Sequence, residues 1–543
     1  MSDGGRDDEF EPSDGIPDDS GAGESERPEG HSRRDPASGG RPTGRPIRPD
    51  APRRSDGPMR HDAPLRHEAP RGGQRFFGGR EGQGGRGFGG REHDRGEGRG
   101  RSSDRFDDTD RSFHRSAMAI DPLPLVPDDL SRLPKAIVRT AIRHPSIYRK
   151  RIDHVDRHAR PGDWVRVETA EGEPLGFGLF NPKSEITIRI VFGPERELTE
   201  GAWEQSLDRA VSMRRDLLRL DADTDAYRVV HAEGDGLPGL VVDRFGDVLS
   251  AEVFSVGMWR RIDPILRRLE SMLGTRRRIA RTAPHVLAQE GFDAPPLTGA
   301  TTDAEGRGGD ARVSDVTIRE FGTRFRVRFA EAHKTGFFCD QRDNRRMLAG
   351  FCRDRTVLDL CCYSGGFSVQ AKKLGQAADV IGVDLDEAPL EVAKENANLN
   401  QVRVRFVQAD VFPFMRDMLR SGRQFDVVVL DPPKLIRSRA ELDEGTRKHF
   451  DLNRLAMQLV APGGLLLSCT CAGLLPGDDF YRLLCSAARQ AGDPIGEAVD
   501  GEFRRRGPRG MRFLTKTGAA ADHPVASNCP ESEYLHAAWM RLD

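Results

Sequence analysis

Beginning at Val357, short apolar runs recur along the chain, and each closes on an acid: Val357-Leu358-Asp359, Val380 to Asp384, Arg405 to Asp410 and Phe425 to Asp431. Runs of this kind, separated by helix-length stretches of mixed polarity, mark strands covered on both faces. This part of the chain is thereby restricted to parallel strands joined by helical crossovers, a doubly wound α/β sheet. Ligands of such sheets bind beyond the carboxyl ends of the strands, where these acids stand. Any single acid there has a plainer use as a helix cap or loop residue. Acids at successive strand ends fit an adenosine-bearing ligand at the switch point.

The first strand-to-helix connection, Asp359-Leu360-Cys361-Cys362-Tyr363-Ser364-Gly365-Gly366-Phe367, is the candidate cofactor loop. It lacks the G-x-G-x-x-G spacing of dinucleotide sites, with Tyr363 where an earlier glycine would stand. A ligand without a pyrophosphate has no need of that close backbone approach. Asp384 lies 18 residues beyond Gly366, near the roughly 20 expected for an acid that accepts from ribose hydroxyls. Asp410, just past the third strand, is placed to receive an adenine amino group.

Asp431-Pro432-Pro433-Lys434 ends the fourth strand. Two prolines stop the ladder and stiffen the backbone, which suits a loop holding a flat base beside a cofactor. Lys434 stands where adenine-N6 methyltransferases carry an aromatic, which argues against amino-group methylation. On the fifth strand, Gly464 to Gly473, period two puts Cys469 and Cys471 on one face, with Cys471 nearer the carboxyl end. A cysteine there is either a small buried hydrophobe or a nucleophile. Cytosine C5 is not nucleophilic until a thiolate adds to C6, so a cysteine beside a base-holding loop suits covalent catalysis.

Upstream, residues 1 to 118 are Gly, Arg, Asp, Glu and Pro with few aliphatics, a composition expected to be disordered. Runs such as Arg71 to Arg80 and Gly85 to Arg91 interleave arginine, glycine and phenylalanine, which reads either as a weak RNA contact or as a solvated tail. A helix is expected over Ala136 to Arg143, then β strands, giving a β-rich module over 133–195 with basic positions Arg139, Arg143, Arg149, Lys150, Arg151 and Arg189. A central α/β module follows over 200–335, with an amphipathic helix over Trp203 to Leu220 and closing strands near Val316 to Phe329. The sheet of the first paragraph fills 345–543. The run His333 to Arg342, dense in polar groups, is expected to line a site through Gln341 and Arg342. Its end at Lys334 to Arg342 is read as closing that site. The eight cysteines all lie from Cys339 onward with no C-x-x-C pair, so buried thiols or a nucleophile are expected rather than metal ligands or disulfides. The first stretch lacks a signal-peptide pattern and no long uncharged apolar run follows, so the expectation is a cytoplasmic protein without membrane contact.

Over some four hundred residues the ordered motifs resemble one family. Arg143-His144-Pro145, Glu233 to Gly239 with Asp243 to Gly246, His333 to Gly336 with Asp340 to Arg342, Tyr363 to Phe367, Asp431 to Lys434, Thr470-Cys471-Ala472-Gly473, and Ala521 to Pro524 with Glu533 to Leu535 are similar to the RlmI-like (YccW-like) large-subunit rRNA cytosine-C5 methyltransferases. The resemblance implies a PUA domain, a central α/β domain and a Rossmann-like domain that binds S-adenosylmethionine, with Cys471 as nucleophile. It implies large-subunit rRNA as partner, free or in ribosome-assembly intermediates. The oligomeric state stays open, a homodimer included. Two other readings are methylation of another RNA or atom with a structural Cys471, and a binding factor that keeps the fold without catalysis. The chain departs from the family in its Gly/Arg-rich tail, in Ser146 where a large aromatic is usual, and in a basic stretch over 505–518, read as a source of phosphate contacts.

Overall fold

The computed structural model describes residues 120–300, 313–329, 335–492 and 508–543. The Gly/Arg-rich stretch, His333, Lys334 and residues 505–507 lie outside them.

Residues Lys135–Val138, Ser146–Tyr148, Ile152–Val155, Trp164–Thr169, Pro174–Phe180 and Ile186–Phe192 form a six-stranded sheet. The helix expected from Ala136 is therefore a strand. Ala136 and Val138 alternate inward, and Lys135–Val138 is bonded on both sides, parallel to Trp164–Thr169 and antiparallel to Ile152–Val155. Tertiary pairing of β-branched residues overrides a weak local preference. Order also begins before Leu133, because Leu125, Val126 and Leu130 pack on the neighbouring core and the Trp164 indole donates to the Leu125 carbonyl (2.8 Å). Arg189 is no surface cation. It is buried, donating to Glu290 (3.1 Å) and to the Phe254 carbonyl (3.1 Å), and so fastens this sheet to the next module.

That module is a five-stranded sheet in the order Leu297–Ala300, Arg277–Arg281, Val248–Val253, Leu240–Phe245, Ala226–His231. Helices Glu200–Ser212 and Ile262–Leu273 bury Trp203, Leu207, Ile265 and Leu269 in its core. The strands expected to complete it, Asp315–Glu320 and Thr323–Arg328, form a hairpin of their own outside the five-stranded sheet, whose Ile318, Phe325 and Val327 pack in one core with Ala226, Phe245 and Val248. Its Glu320 is fully buried and accepts two bonds from Arg345 (2.8 and 2.6 Å), which ties the hairpin to the C-terminal module.

In the C-terminal module the strands are β1 Thr356–Leu360, β2 Asp379–Asp384, β3 Arg405–Gln408, β4 Phe425–Leu430, β5 Val460–Thr470, β6 Met511–Thr517 and β7 His536–Leu542. The helices are α1 Arg342–Ala349, α2 Gly366–Lys373, α3 Glu387–Leu399, α4 Val411–Arg420, α5 Leu442–Leu459 and α6 Gly477–Ala491. The sheet order is β3-β2-β1-β4-β5-β7-β6; the first five strands are parallel, and β7 runs antiparallel to both its neighbours. Much of the basic stretch over 505–518 is thus the edge strand β6. Its alternating Arg512, Leu514 and Lys516 are exposed, and charge on an edge discourages pairing with other chains.

Period two sorts the central strands between two cores. Leu358, Leu360, Val428, Leu430 and Leu466 pack with α5 and α6, while Val357, Val427, Val429, Leu465 and Leu467 pack with α1 and α2. Residues of odd number on β1, β4 and β5 therefore share the α1/α2 face.

Candidate active site at the carboxyl ends of β1, β4 and β5

Asp359, Asp431, Cys469 and Cys471 are all of odd number, and register brings them together. Asp359 pairs with Val429, Val429 with Leu467, and Leu430 with Ser468, so Asp431 stands level with Cys469, one pleat short of Cys471. Gln341, in the turn before α1, reaches the same face and lies against both Asp431 and Cys469. Cys471 is half-buried at the rim, packed against the α1/α2 core, whereas Cys469 is fully buried.

Electrostatics separate these groups. Burial pushes the Asp431 carboxyl up to about 7, reinforced by the charges of Asp340 and Asp359 and opposed by Gln341 and Arg345. Burial likewise raises Asp359 to about 7, although Ser368 donates to it from its backbone N–H (2.9 Å) and hydroxyl (2.6 Å). The thiols of Cys339, Cys361, Cys362 and Cys469 are held well above their ordinary value by burial first and neighbouring acids second. A thiol so placed is a poor nucleophile.

The loop from β1 to α2 is wound tightly. Cys361 and Tyr363 adopt left-handed backbone (φ 63° and 49°), and so does Gly365 at 77°. Non-glycine residues pay of order 1 kcal/mol each for this. The curl is fixed from β2: the Cys362 N–H donates to the Val383 carbonyl (3.0 Å) and the Tyr363 N–H to the Asp384 carboxylate (2.8 Å). Gly365 has no room for a side chain, since a Cβ there would sit 3.1 Å from Ala393 and Phe406. Phe338 lies edge-on to Tyr363 (5.1 Å), so the turn before α1 leans on this loop.

Three observations fit an adenosine-type cofactor here. Asp384 accepts from the Tyr363 and Asp386 N–H groups yet keeps acceptor capacity. The inner oxygen Oδ1 of Asp359 is buried without a partner among the described residues. Leu385, immediately past Asp384, is 62% exposed. An exposed leucine between two acids at a strand end has no packing role, and it offers an apolar surface to a flat ring.

Comparison with known proteins agrees. A family model described as S-adenosylmethionine-dependent methyltransferase matches residues 228–495, and one for a PUA-like domain matches 134–191. The ribosomal RNA large subunit methyltransferase I of Shewanella frigidimarina is 35% identical over 74% of this chain and 96% of its own length. Its counterpart from Pseudoalteromonas atlantica is 33% identical over 72% of this chain and 94% of its own. The chain belongs to the large-subunit ribosomal RNA methyltransferase I family. Among solved structures, SMU.776 complexed with SAH superposes with a TM-score of 0.60 at 17% identity, covering 75% of this chain and 99% of that one, a likeness of fold alone. The methyltransferase uses S-adenosylmethionine as its cofactor.

The remaining sequence-derived positions are placed unevenly in this methyltransferase. Ser364 is buried in the loop, and its carbonyl accepts from Asn396 (3.0 Å); Gly366 and Phe367 open α2, and Phe367 is buried in the α1/α2 core. Asp410 caps α4, accepting from the Phe412 N–H (2.8 Å), with its other oxygen uncommitted to that bond. Lys434 is exposed. Arg342 does not face the loop: its guanidinium is buried and clamped by both oxygens of Asp522 (2.9 and 3.0 Å). Asp522, in the Ala521 to Pro524 motif, also accepts from the Arg228 N–H (2.8 Å), while its carbonyl accepts from Arg214 (2.6 Å). That motif is therefore a buried plug joining the central and C-terminal modules. Sequence reasoning missed Leu385, which carried a signal, an apolar side chain directly after a strand-end acid. Asp340 lay inside the run expected to line the site, but its effect on Asp431 had no local signal because it arises from folding.

Proposed function

We propose that the protein methylates C5 of a cytosine in large-subunit rRNA through a covalent adduct between Cys471 and C6. The observation that carries this reading is the half-buried thiol of Cys471 on the same sheet face as Asp431, one pleat beyond a thiol that burial makes inert. The relatives, named as large-subunit rRNA enzymes, support rRNA as substrate, and the PUA-like match supports an RNA grip. Asp359, Tyr363, Ser364, Gly365, Gly366, Phe367, Asp384 and Asp410 would hold the cofactor, and Leu385 would face its adenine.

Asp431, whose carboxyl is raised to about 7 and so is partly protonated near neutral pH, donates to N3 of the cytosine as the Cys471 thiolate adds to C6. The sulfur–carbon bond forms, the C5–C6 π electrons move toward N3, and C5 becomes an enamine carbon. S-adenosylmethionine supplies the electrophilic methyl that this carbon takes. N3 returns its proton to the Asp431 carboxylate, and loss of the C5 proton to water then restores the double bond and expels the thiolate. Pro432 and Pro433 fix the loop that carries Asp431, while Lys434 at its exposed end positions the base or its phosphate. The cytosine must leave its stack, because the attacked face of C6 is otherwise covered.

RNA containing 5-fluorocytosine provides the test, since the fluorine blocks loss from C5. The wild type is expected to form a denaturation-resistant RNA adduct and Cys471→Ala none. A Cys471→Ala enzyme that methylates normally would sink the mechanism.

A further inference from the structure

We propose that His144, Cys529 and Glu531 form a binding site for a divalent transition-metal ion of the zinc class. The ion would staple the C-terminal segment to the PUA-like sheet. Neither the methyltransferase chemistry nor the RNA grip requires such a site. One donor atom from each residue lies within 4.8 Å of the others, and His144 Nε2 is 2.5 Å from the Glu531 carboxylate, across 387 positions of sequence. Tetrahedral zinc with bonds of about 2.0–2.3 Å places its donors about 3.5 Å apart, so small side-chain rotations close this set around an ion.

The surroundings favour such an ion. The other ring nitrogen of His144 is 2.9 Å from the Ser146 N–H and 3.2 Å from the Ser146 carbonyl, so the backbone accommodates either tautomer. Without metal, Nδ1 accepts from Ser146 and Nε2–H donates to Glu531. With metal, Nδ1–H donates to the Ser146 carbonyl and frees Nε2 as ligand, the outer-sphere bond usual for a metal-bound histidine. Both loops are fixed beforehand: the Asn528 amide donates to the Arg143 carbonyl (3.1 Å), the Cys529 N–H to the Ala526 carbonyl (3.0 Å), and the Ser532 hydroxyl to the Cys529 carbonyl (2.7 Å). Cys529 is buried, and burial first, with the charges of Glu233 and Glu531, pushes its thiol up. A carboxylate, a thiol and an imidazole thus meet where the C-terminal segment reaches the PUA-like sheet. The nitrogen, sulfur and oxygen donors select zinc or cobalt over magnesium or calcium. The fourth position is open to water.

The same segment continues to Tyr534, whose hydroxyl donates to Asp340 (2.6 Å), and then to β7, where His536 pairs with Thr470 next to Cys471. A staple at Glu531 would thus set the register of a segment that borders the active site.

The test uses full-length protein stripped with a chelator and titrated with Co²⁺ alone. Wild type is expected to show a cobalt–thiolate charge-transfer band saturating at one equivalent, and Zn²⁺ is expected to displace it. Cys529→Ser should abolish the band, and Glu531→Gln should weaken Co²⁺ binding at least tenfold. The exposed position of Glu531 keeps the second variant folded if the first is not, and S-adenosylmethionine binding by calorimetry reports on folding in both. A wild type without the band, a band that persists in Cys529→Ser, or equal Co²⁺ affinity in Glu531→Gln overturns the site and leaves an ion pair beside a bystander thiol.

Discussion

Replacing Asp431 by Asn should make the cofactor-free protein more stable in alkali while removing its activity. The Asp431 carboxyl titrates near 7 in the folded chain rather than near the ordinary 3.8, burial being the largest cause and the Asp340 charge the next. At about 1.36 kcal/mol per pH unit, a rise of roughly 3 units disfavours the ionised native form by at most about 4 kcal/mol. Asp431 keeps partial exposure, and solvent together with the Gln341 amide reduces the realised cost to about 1–2 kcal/mol. Between the two pKa values the native state holds a proton that the unfolded chain has released. Stability therefore falls as pH rises from about 4 to about 7 and carries the whole penalty above that. A carboxamide is neutral throughout and has nearly the same shape. The melting midpoint of Asp431→Asn should exceed that of wild type by about 2–6 °C at pH 8.5, with a distinctly smaller margin at pH 5. Calorimetric scans at fixed ionic strength in both buffers measure this. A midpoint at or below wild type at pH 8.5, or a gain independent of pH, would refute the claim that Asp431 is held protonated by its surroundings.

Other outcomes follow from the same geometry. Leu385→Ala, at a position 62% exposed, should leave stability within about 0.5 kcal/mol yet weaken S-adenosylmethionine binding about five- to tenfold by calorimetry. Asp522→Ala should cost about 3–5 kcal/mol in denaturant melts, because it strands the buried Arg342 guanidinium. Although burial pushes the Asp522 carboxyl up, His523 and Arg342 hold it well below the usual carboxylate range, so its contribution is present above the unfolded pKa and lost toward strong acid. Deleting residues 1–118 should lower RNA affinity and flatten its salt dependence in filter binding; unchanged values would assign the tail no RNA contact.

The distribution of what could be read locally follows from how each feature is encoded. Residues that alternate along a strand carry their face with them, so Val357 to Asp359, Phe425 to Asp431 and Gly464 to Cys471 announced the parallel sheet and the common face of Cys469 and Cys471, while the place of Asp431 on that face follows from the pairing of β4 with β5. Asp384 and the loop before α2 were legible for the same reason, since a strand end and the helix start after it are neighbours in sequence. One weaker local signal misled: Ala136 to Arg143 has helical composition, but Lys135–Val138 is a strand because both its neighbours pair with it, whereas the strands near Val316 to Phe329 were legible and only their pairing as a separate hairpin was not. Arg342 read as a cofactor contact because its sequence neighbours are polar, whereas Asp522, 180 positions away, takes its charge.

By itself, then, the sequence determined the parallel sheet and the strand ends at which chemistry could occur, and left Cys471 as either a buried hydrophobe or a nucleophile, because periodicity and strand-end acids are local properties. Only the tertiary structure decided protonation and attachment. The Asp431 carboxyl is raised to about 7 because folding buries it beside Asp340 and Asp359. His144 meets Glu531, and Asp522 meets Arg228 and Arg342, because separate modules dock. Desolvation and charge pairing depend on neighbours in space, which no window of sequence contains.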